Sequence, residues 1–202
     1  MPLWLAEEPL LLASQSKARR MLLAAAGVPV EVQSAELDER ALEALAPAQT
    51  PGAVAAFLAQ QKAFAVERRK PGRLTLGTDQ TLALGAERLA KPADRAAAHA
   101  QLRALRGRMH ELHSAIAFVS DGKVLFEHVG VARLTMRAFS DRFLDLYLDA
   151  VGGAATASVG AYQIEGPGAQ LFERVDGDYF TVLGLPLMAA LGFLRQRGAL
   201  AS

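Results

Sequence analysis

The chain has 202 residues, and 22 lysine and arginine residues nearly balance 21 aspartate and glutamate residues, which leaves a net charge of +1. This balance argues against a nucleic-acid groove or a polybasic membrane patch as the main function. The composition, 51% hydrophobic and 21% charged, is that of a globular protein, and the lack of cysteine excludes disulfides, thiolate metal sites and cysteine nucleophiles.

The N-terminal region predicts a strand followed by a helix. Residues 10–13 form a short apolar run typical of a buried strand. Ser16 is a natural N-cap and Gly27 a natural C-terminal glycine for a helix over 17–26. Residues 28–32 alternate as a half-buried strand does, and an acidic, alanine-rich segment with loop-like ends then extends to Gln49.

The middle of the chain predicts two helices around a strand. Thr50 and Pro51 fit the cap and first position of a helix that continues to Lys70. A strand over 73–77 should end at Thr78-Asp79-Gln80, and Gly85-Ala86 should form a hairpin turn. A helix is expected to begin at Lys91-Pro92 and to end near Gly107.

The last elements require both hairpins and crossovers. Asp121-Gly122 is a strong two-residue hairpin signal between strands over 109–120 and 123–136. Ser140 should cap a helix that Gly152-Gly153 ends, residues 161–186 should form short strands with glycine turns, and a final helix should cover 186–195. The interspersed elements indicate an α/β fold with a mixed sheet.

A candidate anion site lies where the first strand meets the first helix. Ser14 and Ser16 precede the predicted helix, and Arg19 and Arg20 lie in its first turn. Unpaired amides at a helix N-terminus favour phosphate oxygens, and arginine adds charge-assisted hydrogen bonds. An ordinary capped helix with solvated basic residues is the alternative.

A second candidate is Asp79, at the expected carboxyl end of a strand. A carboxylate at that position can hold a divalent cation or accept a proton from water. An Asx turn is the alternative. Lys62 and Lys91 could each reach a phosphate, although solvated lysines are the usual interpretation of such positions.

Other motifs do not support a metal or dinucleotide site. His110-Glu111-Leu112-His113 resembles a zinc sequence, but an i, i+3 spacing within a strand sends the two rings to opposite faces. Neither a P-loop nor a GxGxxG sequence after a strand occurs. We therefore interpret the two histidines as structural.

Eight short blocks in order resemble one family, the Maf family of nucleoside triphosphate pyrophosphatases. The similarity runs from about Leu10 to about Leu194. Its blocks are Ser14-Gln15-Ser16 with Arg19, Asp38-Glu39, Lys62-Ala63, Gly77-Thr78-Asp79-Gln80, Lys91-Pro92, Leu105-Arg106-Gly107-Arg108 with His110-Glu111, Gly160-Ala161-Tyr162-Gln163-Ile164-Glu165-Gly166, and Val182-Leu183-Gly184-Leu185-Pro186-Leu187.

The resemblance implies hydrolysis of a nucleoside triphosphate to a monophosphate and pyrophosphate with a divalent metal, Mg²⁺ or Mn²⁺. It also implies one domain over residues 1–202, with two lobes around a central cleft and a mixed-sheet fold similar to inosine triphosphate pyrophosphatases. By motif, the triphosphate would be held by Ser14, Ser16, Arg19, Lys62 and Lys91. Glu39 and Asp79 would organise metal and water, with Asp79 as the proton acceptor, and Gln80 and Glu165 would select the base.

The expected substrate is 7-methyl-GTP, because relatives with the pair Gln80 and Glu165 resemble the branch of the family that acts on this nucleotide. An ionised Glu165 can also accept hydrogen bonds from the two adjacent donors of guanine. Ala18 departs from the Arg or Trp common in the family, and Arg106 replaces a frequent serine. Pyrimidine triphosphates such as dTTP, UTP or CTP are the alternative substrates. An inosine-type triphosphatase and a noncatalytic, nucleotide-binding regulator of septum formation are the alternative functions.

The expected surroundings follow from the same observations. Glu7 and Glu8 interrupt the apolar N-terminal stretch, and no run approaches the roughly 18 apolar residues of a membrane span. We expect a cytoplasmic protein that binds its nucleotide substrate and that binds neither nucleic acid nor a membrane. The sequence does not determine the oligomeric state, and a homodimer is one of the states it allows.

Overall fold

The computed structural model describes residues 3–202 and has a mixed α/β fold, as the sequence predicts. The strands are β1 (Leu10–Ala13), β2 (Val30–Val32), β3 (Thr75–Leu84), β4 (Glu87–Leu89), β5 (Met109–Ser120), β6 (Lys123–Met136) and β7 (Phe172–Asp176). The α-helices are α1 (Lys17–Ala25), α2 (Glu39–Glu43), α3 (Pro51–Glu67), α4 (Arg95–Leu105), α5 (Asp141–Val151), α6 (Tyr179–Val182) and α7 (Leu187–Gln196). Three 3₁₀ turns cover Gly152–Thr156, Val159–Ala161 and Pro167–Leu171.

The strands form one mixed sheet in the order β2-β1-β3-β5-β6-β7, with β4 paired to β3. β1 is parallel to both β2 and β3, whereas β4 is antiparallel to β3 and β7 to β6. In the β1–β3 ladder, Ala13 lies opposite Gly77. The next residues of the two strands, Ser14 and Thr78, therefore lie side by side just beyond the last pair of this ladder.

The described chain divides into two compact units. The first contains the residues up to Gln80 together with Ser114–Gly130 and Asp178–Ser202, and the second contains Thr81–His113 and Val131–Gly177. The first unit has an apolar core of strand and α7 side chains, in which the ring of Phe118 packs against that of Phe193 at a centroid distance of 4.5 Å. The expectation of two lobes around a cleft stays a prediction.

Local sequence signals explain where several elements begin and end. The Ser16 hydroxyl accepts a hydrogen bond from the Arg19 amide and caps α1, and Gly27 follows the helix with a φ of 75°. Asp121 and Gly122, with φ values of 51° and 67°, connect β5 to β6. Positive φ at both central residues is what a type I′ hairpin turn requires, so the Asp-Gly prediction is confirmed.

The predicted end of the third strand at Asp79 is wrong. β3 continues through Asp79 to Leu84, and its second half pairs with β4 through Leu82 and Leu89. The pairing of β3 with β1 ends at Gly77 and its pairing with β4 begins at Leu82, so Thr78, Asp79 and Gln80 lie between these two ladders. Asp79 is therefore a buried residue within a strand, and the Asx-turn alternative is excluded.

Two further boundaries differ from the sequence prediction. Helix α4 begins at Arg95 instead of Lys91, because the Asp94 side chain accepts the Ala97 amide hydrogen bond and acts as the N-cap. Between residues 161 and 186, only β7 is a strand, and the glycines instead accompany 3₁₀ turns and the short helix α6. Among the described residues, no helix has the length and apolar character needed to cross a membrane.

Candidate active site

Two carboxylates meet at one buried lysine in the first unit. Lys62 on α3 places its Nζ 2.7 Å from Asp79 Oδ1 and 3.0 Å from Glu39 Oε2. Lys62 is 9% exposed and Asp79 is 6% exposed, whereas the Glu39 side chain at the start of α2 is about half exposed. We call Glu39, Lys62 and Asp79 the lysine-bridged triad.

A glycine in β3 allows α3 to approach closely enough to build this triad. A Cβ atom on Gly77 would lie 2.0 Å from the carbonyl oxygen of Ala59 and 2.9 Å from the Cβ of Ala63. Alternate residues of a strand share a face, so Gly77 and Asp79 both face α3. The close approach at Gly77 thus brings Lys62, three residues after Ala59, against the Asp79 carboxylate.

The triad has carboxylate oxygens to spare. The Asp79 Oδ2 and Glu39 Oε1 atoms hydrogen-bond to no residue that the structure describes. Mg²⁺ is bound by one or two carboxylates together with substrate phosphates and water. The donor set therefore fits a small divalent cation of that kind.

Arg19 lies at the start of α1, where Ser14 and Ser16 support it. The Ser14 hydroxyl accepts hydrogen bonds from the Ser16 amide at 3.3 Å and from Arg19 Nη1 at 3.2 Å. Arg19 Nη1 also lies 3.3 Å from the carbonyl oxygen of Thr78, and Arg19 Nε donates to the Gly184 carbonyl at 2.8 Å. We call Ser14, Ser16 and Arg19 the α1 anion site.

These contacts leave one nitrogen of Arg19 for a ligand. Arg19 Nη2 hydrogen-bonds to no residue in the described part of the chain. Desolvation lowers the pKa of Arg19, and the negative charges of Asp79 and Glu39 act in the opposite direction. Since an arginine stays protonated in a protein, the site presents a fixed positive charge close to the two carboxylates.

Gln80 faces the other side of β3 and is held by its amide nitrogen. Gln80 Nε2 donates to Ser114 Oγ at 2.9 Å and to the carbonyl oxygens of Thr181 and Val182 at 3.2 and 3.1 Å. Two of these partners are carbonyl oxygens, which can only accept, so the amide orientation is determined. The Gln80 Oε1 atom, which hydrogen-bonds to no described residue, can then offer a ligand only an acceptor.

Lys91 and Glu165, the other two predicted site residues, are exposed and belong to the second unit. Lys91 lies between β4 and α4, and Glu165 lies just before the 3₁₀ turn Pro167–Leu171. Neither makes a hydrogen bond or ion pair with a described residue. Their roles beside the triad stay predictions.

The segment that carries Glu165 is anchored by a buried tyrosine. Tyr162 Oη lies 2.7 Å from His110 Nε2, and the Ser158 hydroxyl donates to the Tyr162 carbonyl at 2.6 Å. Burial lowers the pKa of His110 to about 4 and raises that of Tyr162, so both are neutral at physiological pH. His113 instead pairs with Glu111 at 3.0 Å, and among residues 3–202 no group of three or more histidine and carboxylate side chains could hold a metal ion.

Sequence reasoning missed the two residues that hold Gln80. Ser114 is fully buried, and its hydroxyl donates to the Thr181 carbonyl at 2.8 Å. Thr181 is also buried and lies just before the Val182-Leu183-Gly184 block singled out above. That block was the available signal, but it gave no indication that the backbone carbonyls of this region contact Gln80 and Arg19.

Comparison with known proteins gives full-length matches. The family model described as Maf-like protein matches residues 9–197. The chain is 56% identical to a nucleoside triphosphate pyrophosphatase of Rhodopseudomonas palustris over 201 residues, which covers 100% of both chains. It is 52% identical over 197 residues to a 7-methyl-GTP pyrophosphatase of Mesorhizobium japonicum, covering 96% of this chain and 98% of that one. A solved dITP/XTP pyrophosphatase from Mycobacterium abscessus matches with 15% identity, 95% coverage of each chain and a TM-score of 0.41.

Proposed function

The chain belongs to the Maf family and is a nucleoside triphosphate pyrophosphatase, and from this premise we propose that the lysine-bridged triad is its catalytic centre. The observation that carries the proposal is the meeting of Asp79 and Glu39 at the buried Lys62 ammonium. In this proposal the α1 anion site, Lys62 and Lys91 bind the phosphates. Water attacks the phosphoanhydride between the α and β phosphates, and the products are a nucleoside monophosphate and pyrophosphate.

Charge balance supports a divalent metal in this reaction. Lys62 and Arg19 carry two positive charges, which Glu39 and Asp79 already neutralise. A nucleoside triphosphate brings about four negative charges, of which the proposed contact with Lys91 offsets one, so binding it requires a further cation. We propose that Glu39 and Asp79 hold Mg²⁺ or Mn²⁺, which when bound would neutralise charge on the phosphates.

Asp79 is the proposed general base. Its Oδ1 atom accepts the Lys62 hydrogen bond at 2.7 Å, which fixes the carboxylate and leaves Oδ2 for the attacking water. A carboxylate that takes the proton of water as the new P–O bond forms makes the water a better nucleophile.

For the base of the substrate we propose guanine, with 7-methyl-GTP favoured. Gln80 can offer only the acceptor Oε1, and an ionised Glu165 also only accepts. Guanine presents two adjacent donors on its Watson–Crick edge, whereas uracil and thymine present one donor between two acceptors. The 52% identical relative named 7-methyl-GTP pyrophosphatase supports the same choice. Pyrimidine triphosphates stay the alternative, because Ala18 provides no aromatic ring to stack on a cationic base.

Replacement of Asp79 by asparagine tests the catalytic proposal. Asp79→Asn keeps the shape of the side chain and removes both the base and a metal ligand, so kcat with Mg²⁺ should fall by at least about 100-fold. Asp176→Asn, at an exposed position in β7, is the matched control and should keep wild-type turnover. Pyrophosphate release and circular dichroism are measured on both, and near-normal turnover by folded Asp79→Asn would refute the mechanism.

A second experiment tests the choice of base. The ratio of kcat/KM for 7-methyl-GTP to that for UTP should favour 7-methyl-GTP in the wild type and fall in Glu165→Gln, because an amide replaces one acceptor by a donor. Glu173→Gln, also exposed, is the control and should leave the ratio unchanged. A wild-type preference for UTP, or a ratio indifferent to Glu165→Gln, contradicts the proposed role.

A further inference from the structure

We propose that Gly184 is a positioning residue for Arg19: its carbonyl orients the guanidinium for phosphate, and its lack of a side chain gives that guanidinium room. The proposal rests on the proposed function, in which Arg19 binds the triphosphate. Two observations at the same residue carry it, a hydrogen bond and a close approach.

The hydrogen bond fixes the rotation of the guanidinium. Arg19 Nε donates to the Gly184 carbonyl at 2.8 Å, while Arg19 Nη1 is held by Ser14 Oγ and the Thr78 carbonyl. A planar group held at two of its nitrogens cannot turn about its long axis. The remaining nitrogen, Nη2, is therefore presented in one direction before any ligand arrives, which lowers the entropy lost on binding.

The close approach explains why position 184 has a glycine. A Cβ atom there would lie 3.1 Å from both Nε and Nη2 of Arg19, tighter than ordinary van der Waals contact. The φ of Gly184 is also +88°, a backbone conformation that side chains disfavour. A side chain at this position would therefore push against Nη2, which we assign to phosphate binding, and against Nε, which donates to the Gly184 carbonyl.

Hydrogen bonds in the surrounding turn hold the Gly184 carbonyl in position. Asp178 caps α6 by accepting hydrogen bonds from the amide and the hydroxyl of Thr181. The Thr181 carbonyl in turn accepts from the Gly184 amide at 3.0 Å. From the sheet side, Gln80 Nε2 and Ser114 Oγ donate to that same Thr181 carbonyl.

These contacts make the turn Asp178–Gly184 a rigid support between β3 and Arg19. Strain introduced at position 184 cannot be absorbed by a shift of the turn without breaking hydrogen bonds to Gln80 and Ser114. The side chain of Arg19, which is the flexible partner, should move instead. Its displacement would weaken phosphate binding while the carboxylates of the triad stay in place.

A double-mutant cycle of Gly184→Ala and Arg19→Ala tests this inference. We measure kcat and KM for the hydrolysed nucleoside triphosphate, the Kd of a non-hydrolysable α,β-methylene analogue, and melting temperature. In the wild-type background, Gly184→Ala should weaken analogue binding and lower kcat/KM by about 10- to 100-fold, since misplacing a binding group by about 1 Å has effects of this size. In the Arg19→Ala background the same change should alter both quantities less than about twofold, because the guanidinium is already absent.

Melting temperature separates positioning from mere strain. The positive φ penalises alanine in both backgrounds, so the melting temperature should fall in both. Gly184→Asn is the second variant, because asparagine tolerates positive φ better but still has a Cβ atom, and it should reproduce the kinetic defect with a smaller loss of thermal stability. Gly192→Ala is the control, since a Cβ there meets no atom within 4 Å, and it should leave activity and binding unchanged.

The outcomes distinguish this inference from the proposed function. If Arg19→Ala itself leaves kcat/KM and analogue binding unchanged, the phosphate role of Arg19 fails. If Arg19→Ala is defective but Gly184→Ala and Gly184→Asn are both wild-type in kinetics, only the positioning role fails. A Gly184→Ala defect of equal size in both backgrounds would show that glycine is needed for the fold alone, and would also overturn the positioning role.

Discussion

The environment of His110 predicts a specific loss of stability in mild acid. His110 is fully buried beside Tyr162, and burial lowers its pKa to about 4. An unfolded histidine titrates near its ordinary value of about 6.5. Between these two values the unfolded chain binds a proton that the folded chain does not, so stability falls as the pH falls from about 6.5 to about 4 and changes no further below that.

The size of the effect follows from the two pKa values. Their difference corresponds to about 3 kcal/mol of unfolding free energy when the transition is complete, and about 2 kcal/mol of this is lost by pH 5. Burial raises the pKa values of the nearby Tyr162 and Tyr147, so neither tyrosine titrates in this interval. The pH dependence from this cluster therefore belongs to His110.

Urea unfolding at pH 7.5 and pH 5 measures the effect. His110→Gln keeps a group able to hydrogen-bond with Tyr162 but does not titrate, so the free-energy difference between the two pH values should shrink by about 2 kcal/mol. His128→Gln, at an exposed histidine, is the control and should keep the wild-type difference. Equal losses in wild type and His110→Gln would refute the reasoning.

Two further predictions concern the lysine-bridged triad. Gly77→Ala should destabilise the protein by more than about 3 kcal/mol, because the added Cβ would lie 2.0 Å from the Ala59 carbonyl oxygen, and a melting temperature close to that of Gly192→Ala would contradict the packing argument. Lys62→Met should lower stability at pH 7.5 by about 3 kcal/mol, because it leaves the buried Asp79 carboxylate without its partner. MgCl₂ should stabilise this variant more than the wild type in thermal denaturation, and an equal shift in both would argue against a metal bound by the carboxylates.

Local signals predicted those parts of the fold that depend on neighbouring residues. Caps such as Ser16 and turns such as Asp121-Gly122 are determined by a few consecutive side chains and their φ values. The Maf resemblance alone predicts that Glu39, Lys62 and Asp79 belong to one site. It did not show that Lys62 would bridge the two carboxylates, because that contact depends on how closely α3 packs at Gly77.

The wrong prediction for the end of β3 has its cause in polar residues whose hydrogen-bond partners are distant in sequence. The polar sequence Thr78-Asp79-Gln80 predicts the end of a strand, yet Gln80 is stabilised by Ser114 and by Thr181, 34 and 101 residues away. Asp79 likewise depends on Lys62, 17 residues earlier. A buried polar strand can be recognised only when such partners are known, because without them the burial would be unfavourable.

The register of β3 connects the triad to the α1 anion site. Alternation along the strand directs Gly77 and Asp79 toward α3, and it directs Gln80 toward the turn that holds Arg19. The pairing of Ala13 with Gly77 also places Ser14 beside Thr78, whose carbonyl Arg19 contacts. A slip of one residue would send the Asp79 carboxylate to the opposite face and would separate it from Lys62. The parallel ladder between β1 and β3 thus determines both the position of the proposed base and the position of the proposed phosphate-binding arginine.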